Sequence, residues 1–532
     1  MEHTDAAQVA ALVGALGALL VLVPRGGIAP VSGLVLLGAA SGGLAWSLVG
    51  GDDLRLLIDE PTGMALLAVG VVSVSAGAVP LIRYPPVVPV VLLAVAPFRV
   101  PVQLGDEEAF LLLPLYLAIA SGVHALAYRI LRGERPAPPP FLIALPLAAF
   151  VTLAATSFLW TWDERAGATA LAFFVFPFVA GLAVVARAPL ADWLPRALLV
   201  TLVALGALFA AIGIWQAHTR TLFFARDLEV ANAYTSFFRV TSLFKDPSLY
   251  GRYLVIPIAV LLVAIVVRRG RTADWVVAAG VVVFLFWGLF YSYSQSSFVA
   301  LFVVTFAIAI VGSNRRTRVV LLACTLLATL VAAGVAGASI GDRSARDVTS
   351  GRSRLVRITL DAFEERPIAG VGVGGQPRAS AEAAGRRTTR RNASHTTPLT
   401  VLAELGVIGF AIYLWLLVAV GWALVLVTRG QRAFGIGLAA VGVTLFVHSL
   451  LYAGFFRGSV DVGRDRTGRR RARARARTRH RPGACRRGRT AGSGGAGTLT
   501  GGRFLRPLPC RKHSSGSSLR SPYWCSHSSD SP

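Results

Sequence analysis

Apolar residues along this chain fall in blocks of roughly 18 to 23, the length a helix needs to cross a bilayer core. The blocks lie at 8–23, 28–50, 63–82, 86–98, 109–128, 141–161 and 168–187, then at 196–216, 249–267, 274–291, 295–312, 318–340, 397–427 and 434–456. Inside lipid only helices and closed barrels satisfy their own backbone, and unbroken apolar blocks are the helical pattern. The pattern predicts an all-α polytopic membrane protein of about 12–14 transmembrane helices. The block at 86–98 is short and rich in proline, as a re-entrant segment would be. The first block lacks a basic start and a small-residue cleavage site, so it reads as a membrane helix and not as a removed signal.

The polar breaks sort into two kinds. Arg129, Arg132 and Arg135 follow the fifth block, and Arg187 and Arg196 flank the break after the seventh. Arg268, Arg269 and Arg271, then Arg315, Arg316 and Arg318, then Arg429 and Arg432 mark the later alternate breaks. Short basic loops stay in the cytoplasm, which predicts that the alternate breaks face outward. Among these is a long polar segment, 341–396, ahead of the penultimate span. The expected organisation is therefore a helical region 1–340, an extracytoplasmic catalytic loop 341–396, terminal membrane helices 397–456 and a tail 457–532.

Composition agrees with this reading. Of 532 residues 55% are hydrophobic and 15% charged, against the roughly 25% charge of a soluble domain. The net charge of +26 would suggest a nucleic-acid partner if it covered a soluble surface, but most of the arginines lie in short loops or after residue 456. No nucleic acid is expected as a partner. Lysine occurs only at Lys245 and Lys512, and the four cysteines show no metal or disulfide spacing. The tail turns abruptly to Arg, Gly, Ser and Pro and includes RRRARARARTRH at 469–480. Three readings of it stand: a basic arm for lipid or nucleic acid, a disordered segment without a core, and a change of reading frame near codon 457.

Several positions carry candidate chemistry. Asp246-Pro247 is a helix start, with an acidic cap before a first-turn proline. It places Arg252 inside the first turns of a span, where a charge is expensive and faces a cavity or a partner. Arginines at helix ends otherwise snorkel to head groups, and a lone loop histidine such as His395 is ordinarily solvated. The glycine run from Gly370 to Gly375 is similar to a phosphate cradle, but no strand precedes it, so a close-packed turn is the better expectation. Ser294, Ser296 and Ser297 stand where they can cap a helix, and Glu404 where it can pair with an arginine.

Three motifs in order, RVTSLFKDPSLYGRYL, then SYSQSSFVAL, then ERPIAGVGVGG followed by SHTTPLTVLAELGVIGF, resemble the O-antigen ligase and polymerase family. The resemblance covers roughly residues 100–456. It departs from the family where Thr396 replaces an asparagine after His395, and where Ser294-Gln295 replaces a Ser-Arg pair. It implies a glycosyltransferase of the cytoplasmic membrane that moves a glycan from a polyprenyl diphosphate carrier to a glycan or lipid acceptor hydroxyl on the outer face of that membrane. Such a donor calls for cations that stay ionised near lipid, which arginine supplies with multidentate geometry. Under this reading His395 and Arg252 are catalytic, and Arg239, Arg352, Arg354 and Arg357 bind substrate. No cofactor and no metal are expected, and the transfer is expected to invert. A transporter or flippase of lipid-linked glycan is the main rival, although it should show internal repeats and charges near mid-span.

Overall fold

The computed structural model describes residues 4–24, 26–48, 61–104, 107–234, 237–267, 272–312, 345–383, 385, 394 and 396–451, with scattered positions between 315 and 330. The predicted span at 318–340 falls largely outside the described residues, as does the whole tail from residue 457. Helices α1 (Thr4–Leu22), α2 (Ala29–Leu48) and α3 (Pro61–Arg83) open the chain. A short α4 (Val88–Val95) and an antiparallel hairpin, β1 (Val100–Leu104) with β2 (Glu107–Leu111), lead to α5 (Leu113–Leu131). Then follow α6 (Phe141–Thr156), α7 (Glu164–Ala170), α8 (Phe176–Ala186) and α9 (Leu194–Thr219). The later elements are α10 (Arg226–Asn232), α11 (Pro247–Val267), α12 (Thr272–Phe290), α13 (Gln295–Gly312), α14 (Ala345–Glu365), α15 (Gln376–Ala383), α16 (Thr397–Gly430) and α17 (Arg432–Leu451).

Among the described residues eleven helical stretches are long and apolar enough to cross a membrane, with α7 and α8 counted as one stretch through a π-helical turn. Two shorter apolar helices, Pro85–Val95 and Gln295–Val311, bring the bundle into the expected range. The protein is a multi-pass membrane protein. The hairpin at 100–111 is an addition to the helical reading and takes the first residues of the apolar block at 109–128. The helix start expected at Asp246 is present, and a second acidic cap stands at Asp163. The Asp163 carboxylate accepts from Ala166 N at 3.1 Å to open α7, and that of Asp246 from Ser248 N at 2.6 Å to open α11.

The polar segment before α16 is not a plain loop. Its described part folds as α14 and α15, with Ala362 and Ala379 buried against Val371 and Trp162. The glycine run between them threads against the interior of α16, which breaks at Gly406 (φ 65°, ψ −166°). The break frees backbone groups, and the run takes them up. Val371 N donates to Ala403 O at 3.0 Å, Gly372 N to Glu404 O at 2.9 Å, and Val407 N to Pro367 O at 2.8 Å. On its other side Trp162 N donates to Val371 O at 3.0 Å and Thr161 Oγ1 to Val373 O at 2.8 Å. The expectation of a close-packed turn holds, with the neighbouring helices as its seat.

Gly370 (φ 70°) and Gly406 have left-handed backbones, and a Cβ on either would collide with backbone, at Glu404 and Ile368 respectively. Gly370→Ala and Gly406→Ala should therefore each destabilise the protein by at least about 2 kcal/mol, from backbone strain alone. Gly421→Ala, whose Cβ meets nothing within 4 Å on the same helix, should not. Thermal unfolding in detergent distinguishes these outcomes. Equal melting of all three would remove the splice between α16 and the glycine run.

Candidate functional site

Two polar groupings lie at the same end of the bundle, because α16 leaves that end at Thr397 and α17 returns to it by Leu451. Thr4 and Glu164 also meet there, at 3.2 Å. Arg129 and Arg187 line one small hollow at the opposite end, where Arg429 and Arg432 also fall.

The first grouping is built on α11 and the turn between α12 and α13. Arg252 comes six residues after the Asp246 cap and is 7% exposed. Gly251 before it packs on Ser297 Oγ and on Leu289. Ser297 Oγ lies 2.9 Å from Ser294 Oγ, which lies 3.1 Å from Ser296 Oγ, and all three serines are buried. These serines do more than cap α13, because Ser297 Oγ also lies 3.3 Å from Nε2 of His448 on α17. Arg239 joins from the chain before α11. The Asn232 side chain holds its backbone at 3.1 and 3.0 Å, Val240 N donates to Tyr291 O at 3.1 Å, and Arg239 Nε comes within 3.5 Å of Ser292 O. Burial lowers the proton affinity of the Arg239 guanidinium, and the Asp246 carboxylate works against that shift.

Three further residues complete this grouping. Arg99, between α4 and β1, acts electrostatically on Tyr253, as Arg252 does. Tyr253 stacks on Phe244 with ring centres 4.9 Å apart. Gln216, fully buried on α9, accepts from Thr241 N at 3.3 Å and Ser242 N at 2.7 Å, and donates to Ser242 O at 2.9 Å. Ser242 needs that brace because its φ is 53°. The Oγ1 of Thr241 and the Oγ of Ser242 are buried without a hydrogen-bond partner among the described residues. Among those residues the non-glycine positions with left-handed backbone are Arg220, Ser242 and Tyr293, all in turns at this end. Strain of this kind gathers at functional sites.

The second grouping surrounds the start of α16. His395 lies outside the described residues, but its neighbours are placed. Ser394 N donates to Gln376 Oε1 at 3.1 Å, and the buried Gln376 amide also donates to Ser380 Oγ at 2.7 Å. The residue before the histidine is thus tied to α15. Arg357 is exposed on α14 and is not among the residues gathered at the serine turn. The side chains of Arg352 and Arg354, on the same helix, lie outside the description. Of the predicted site residues, the structure brings Arg239 and Arg252 to the same serine turn, Arg239 through Ser292 and Arg252 through its neighbour Gly251. Among the described residues no three His, Cys, Asp or Glu side chains gather as metal ligands would.

Arg99, Gln216 and His448 were not singled out from the sequence. One signal marks all three: each is a strongly polar residue in or at the edge of an apolar block, the criterion that picked out Arg252. Gln216→Leu should leave three backbone groups unpaired in a buried turn, at about 1–3 kcal/mol each. Limited proteolysis should then open the 239–246 segment before the rest of the bundle. Unchanged protection of that segment would rule out the brace.

Among curated proteins none matches the chain. The family model described as O-antigen ligase matches residues 280–414, from within α12 to the turns of α16 just past its break. That segment holds both the serine turn and the glycine run, and over it the chain is similar to the O-antigen ligase family.

Proposed function

We propose that the chain transfers a glycan from a polyprenyl diphosphate carrier to an acceptor hydroxyl at the outer face of the cytoplasmic membrane, in cell-surface polysaccharide biosynthesis. Glycan transfer of the O-antigen ligase type rests on the family match.

One observation carries it: a buried arginine, Arg252, joined by Arg239 at a strained serine turn inside the matched segment. When the glycosidic bond to the carrier breaks, negative charge grows on the leaving diphosphate. Fixed cations in a water-poor setting stabilise that charge far better than mobile ones in water. Arg252 and Arg239 take this role, and guanidinium geometry allows two oxygens to be held at once. His395, at the entry of α16, removes the acceptor proton as the new bond forms, and attack from the face opposite the diphosphate inverts the anomeric centre. Arg352, Arg354 and Arg357, on or near the folded segment 341–396, help to hold the donor. No metal is assigned a part.

Purified protein in lipid, given a lipid-linked oligosaccharide and an acceptor, should release polyprenyl diphosphate as acceptor product appears. Loss of a positioned base should lower the rate by a factor of about 10² to 10⁴, so His395→Ala should be nearly inactive at normal expression. Arg252→Ala should fail as well, and Arg252→Lys should recover little, since an ammonium is a point charge. A fully active His395→Ala enzyme would remove the histidine from the chemistry. Movement of intact donor across the bilayer without release of diphosphate would replace transfer by transport.

The sidedness has its own test. With the native cysteines changed to serine, Arg220→Cys should react with an impermeant thiol reagent in intact cells and Gly133→Cys should not. The reverse labelling would put the site end in the cytoplasm.

A further inference from the structure

His448 lies beyond the segment matched by the family model and takes no part in the chemistry above. It is fully buried near the site end of α17 and engaged at both ring nitrogens. Nδ1 lies 2.9 Å from Thr444 O, and Nε2 lies 3.3 Å from Ser297 Oγ. A carbonyl oxygen only accepts, so Nδ1 carries a proton and donates it there. In the neutral ring Nε2 then faces the Ser297 hydroxyl as an acceptor at 3.3 Å, and that hydroxyl donates to Ser294 Oγ at 2.9 Å. An ionisable side chain inside a membrane helix is costly, and an apolar residue would pack there without needing partners.

The packing shows what the imidazole constrains. Ser297 Oγ occupies the space where a Cβ on Gly251 would stand, so the serine sets how closely α13 approaches α11 at that point. Arg252 is the next residue, and its charge acts on His448. A continuous series of contacts thus runs from α17 through Ser297 to the backbone that presents the arginine.

We propose that His448 is a positioning residue: through Ser297 it fixes the serine turn against Gly251 and holds the Arg252 guanidinium where a diphosphate binds. The diphosphate rests on the function proposed above. His448 need not touch donor or acceptor, and its effect should vanish when Arg252 is absent.

The test is equilibrium binding of a polyprenyl diphosphate to the full-length protein in lipid nanodiscs. His448→Ala should weaken binding about tenfold, the scale of one buried hydrogen-bonded group. His448→Gln should recover most of it, because an amide can donate to Thr444 O and keep a polar contact with Ser297 Oγ. Ser297→Ala, which interrupts the series in its middle without altering α17, should match His448→Ala, and the pair should not add. In an Arg252→Ala background His448→Ala should have no further effect on binding. Wild-type affinity in both His448→Ala and Ser297→Ala would overturn the proposal, and so would an undiminished His448→Ala effect without Arg252. Equal binding by wild type and Arg252→Ala would instead overturn the diphosphate reading itself, so the Arg252 arm separates the two failures.

Discussion

A backbone group set free inside a membrane protein must find a partner in the protein, and the site end of this bundle is arranged around one such demand. Gly406 breaks α16, so the carbonyls of Ala403 and Glu404 lose their places in the helical ladder. The glycine run supplies the missing donors and ties itself, on its far side, to the turn between α6 and α7. Three elements distant in sequence are thereby held mostly by main-chain hydrogen bonds, with the Thr161 hydroxyl adding one to Val373 O. The glycines are required because backbone meets backbone there. This explains why the run imitates a phosphate-binding loop in sequence while most of its amides are already spent, on carbonyls and on the Ser157 hydroxyl.

The same splice fixes where the chain re-enters α16. Ser394 is held by Gln376 on α15, and α15 packs on α14 and on the glycine run. The polar segment between the membrane helices is therefore a folded platform over much of its length, not a tether. From that platform α16 runs to the opposite end and α17 returns with His448, which meets the serine turn. The α16–α17 hairpin thus connects the platform to the arginine grouping.

The helical membrane architecture was legible because it rests on the length of apolar blocks, a one-dimensional property. The caps were legible for the same reason: Asp246 and Pro247 act within one turn of where they stand. Arg252 could be found because a charge inside an apolar block is anomalous in itself. Arg99, Gln216 and His448 obey the same rule but were read as parts of their blocks, since nothing local says what they meet. Gln216 owes its meaning to a strained turn 26 residues away, and His448 to a serine 151 residues away. The hairpin at 100–111 was hidden because its second strand continues without a break into the apolar residues of α5.

The division of labour at the site end follows from what each substrate is in the proposed reaction. A polyprenyl carrier is anchored in lipid, so its diphosphate arrives at a depth set by the bilayer. Charges that meet it must stand on elements fixed in the membrane, and Arg252 and Arg239 are carried by α11 and the turn braced against it. Arginine suits that depth because its guanidinium stays ionised when partly desolvated and is more weakly hydrated than an ammonium. An acceptor glycan comes from the aqueous side, so the base proposed for it, His395, is suited by following Ser394, which Gln376 ties to the platform. A rigid connection between the two is then a chemical requirement, since the acceptor hydroxyl must approach one particular face of a sugar whose diphosphate is already held. The broken helix, the glycine splice and the His448–Ser297 contact each remove a freedom that would let those two halves drift apart.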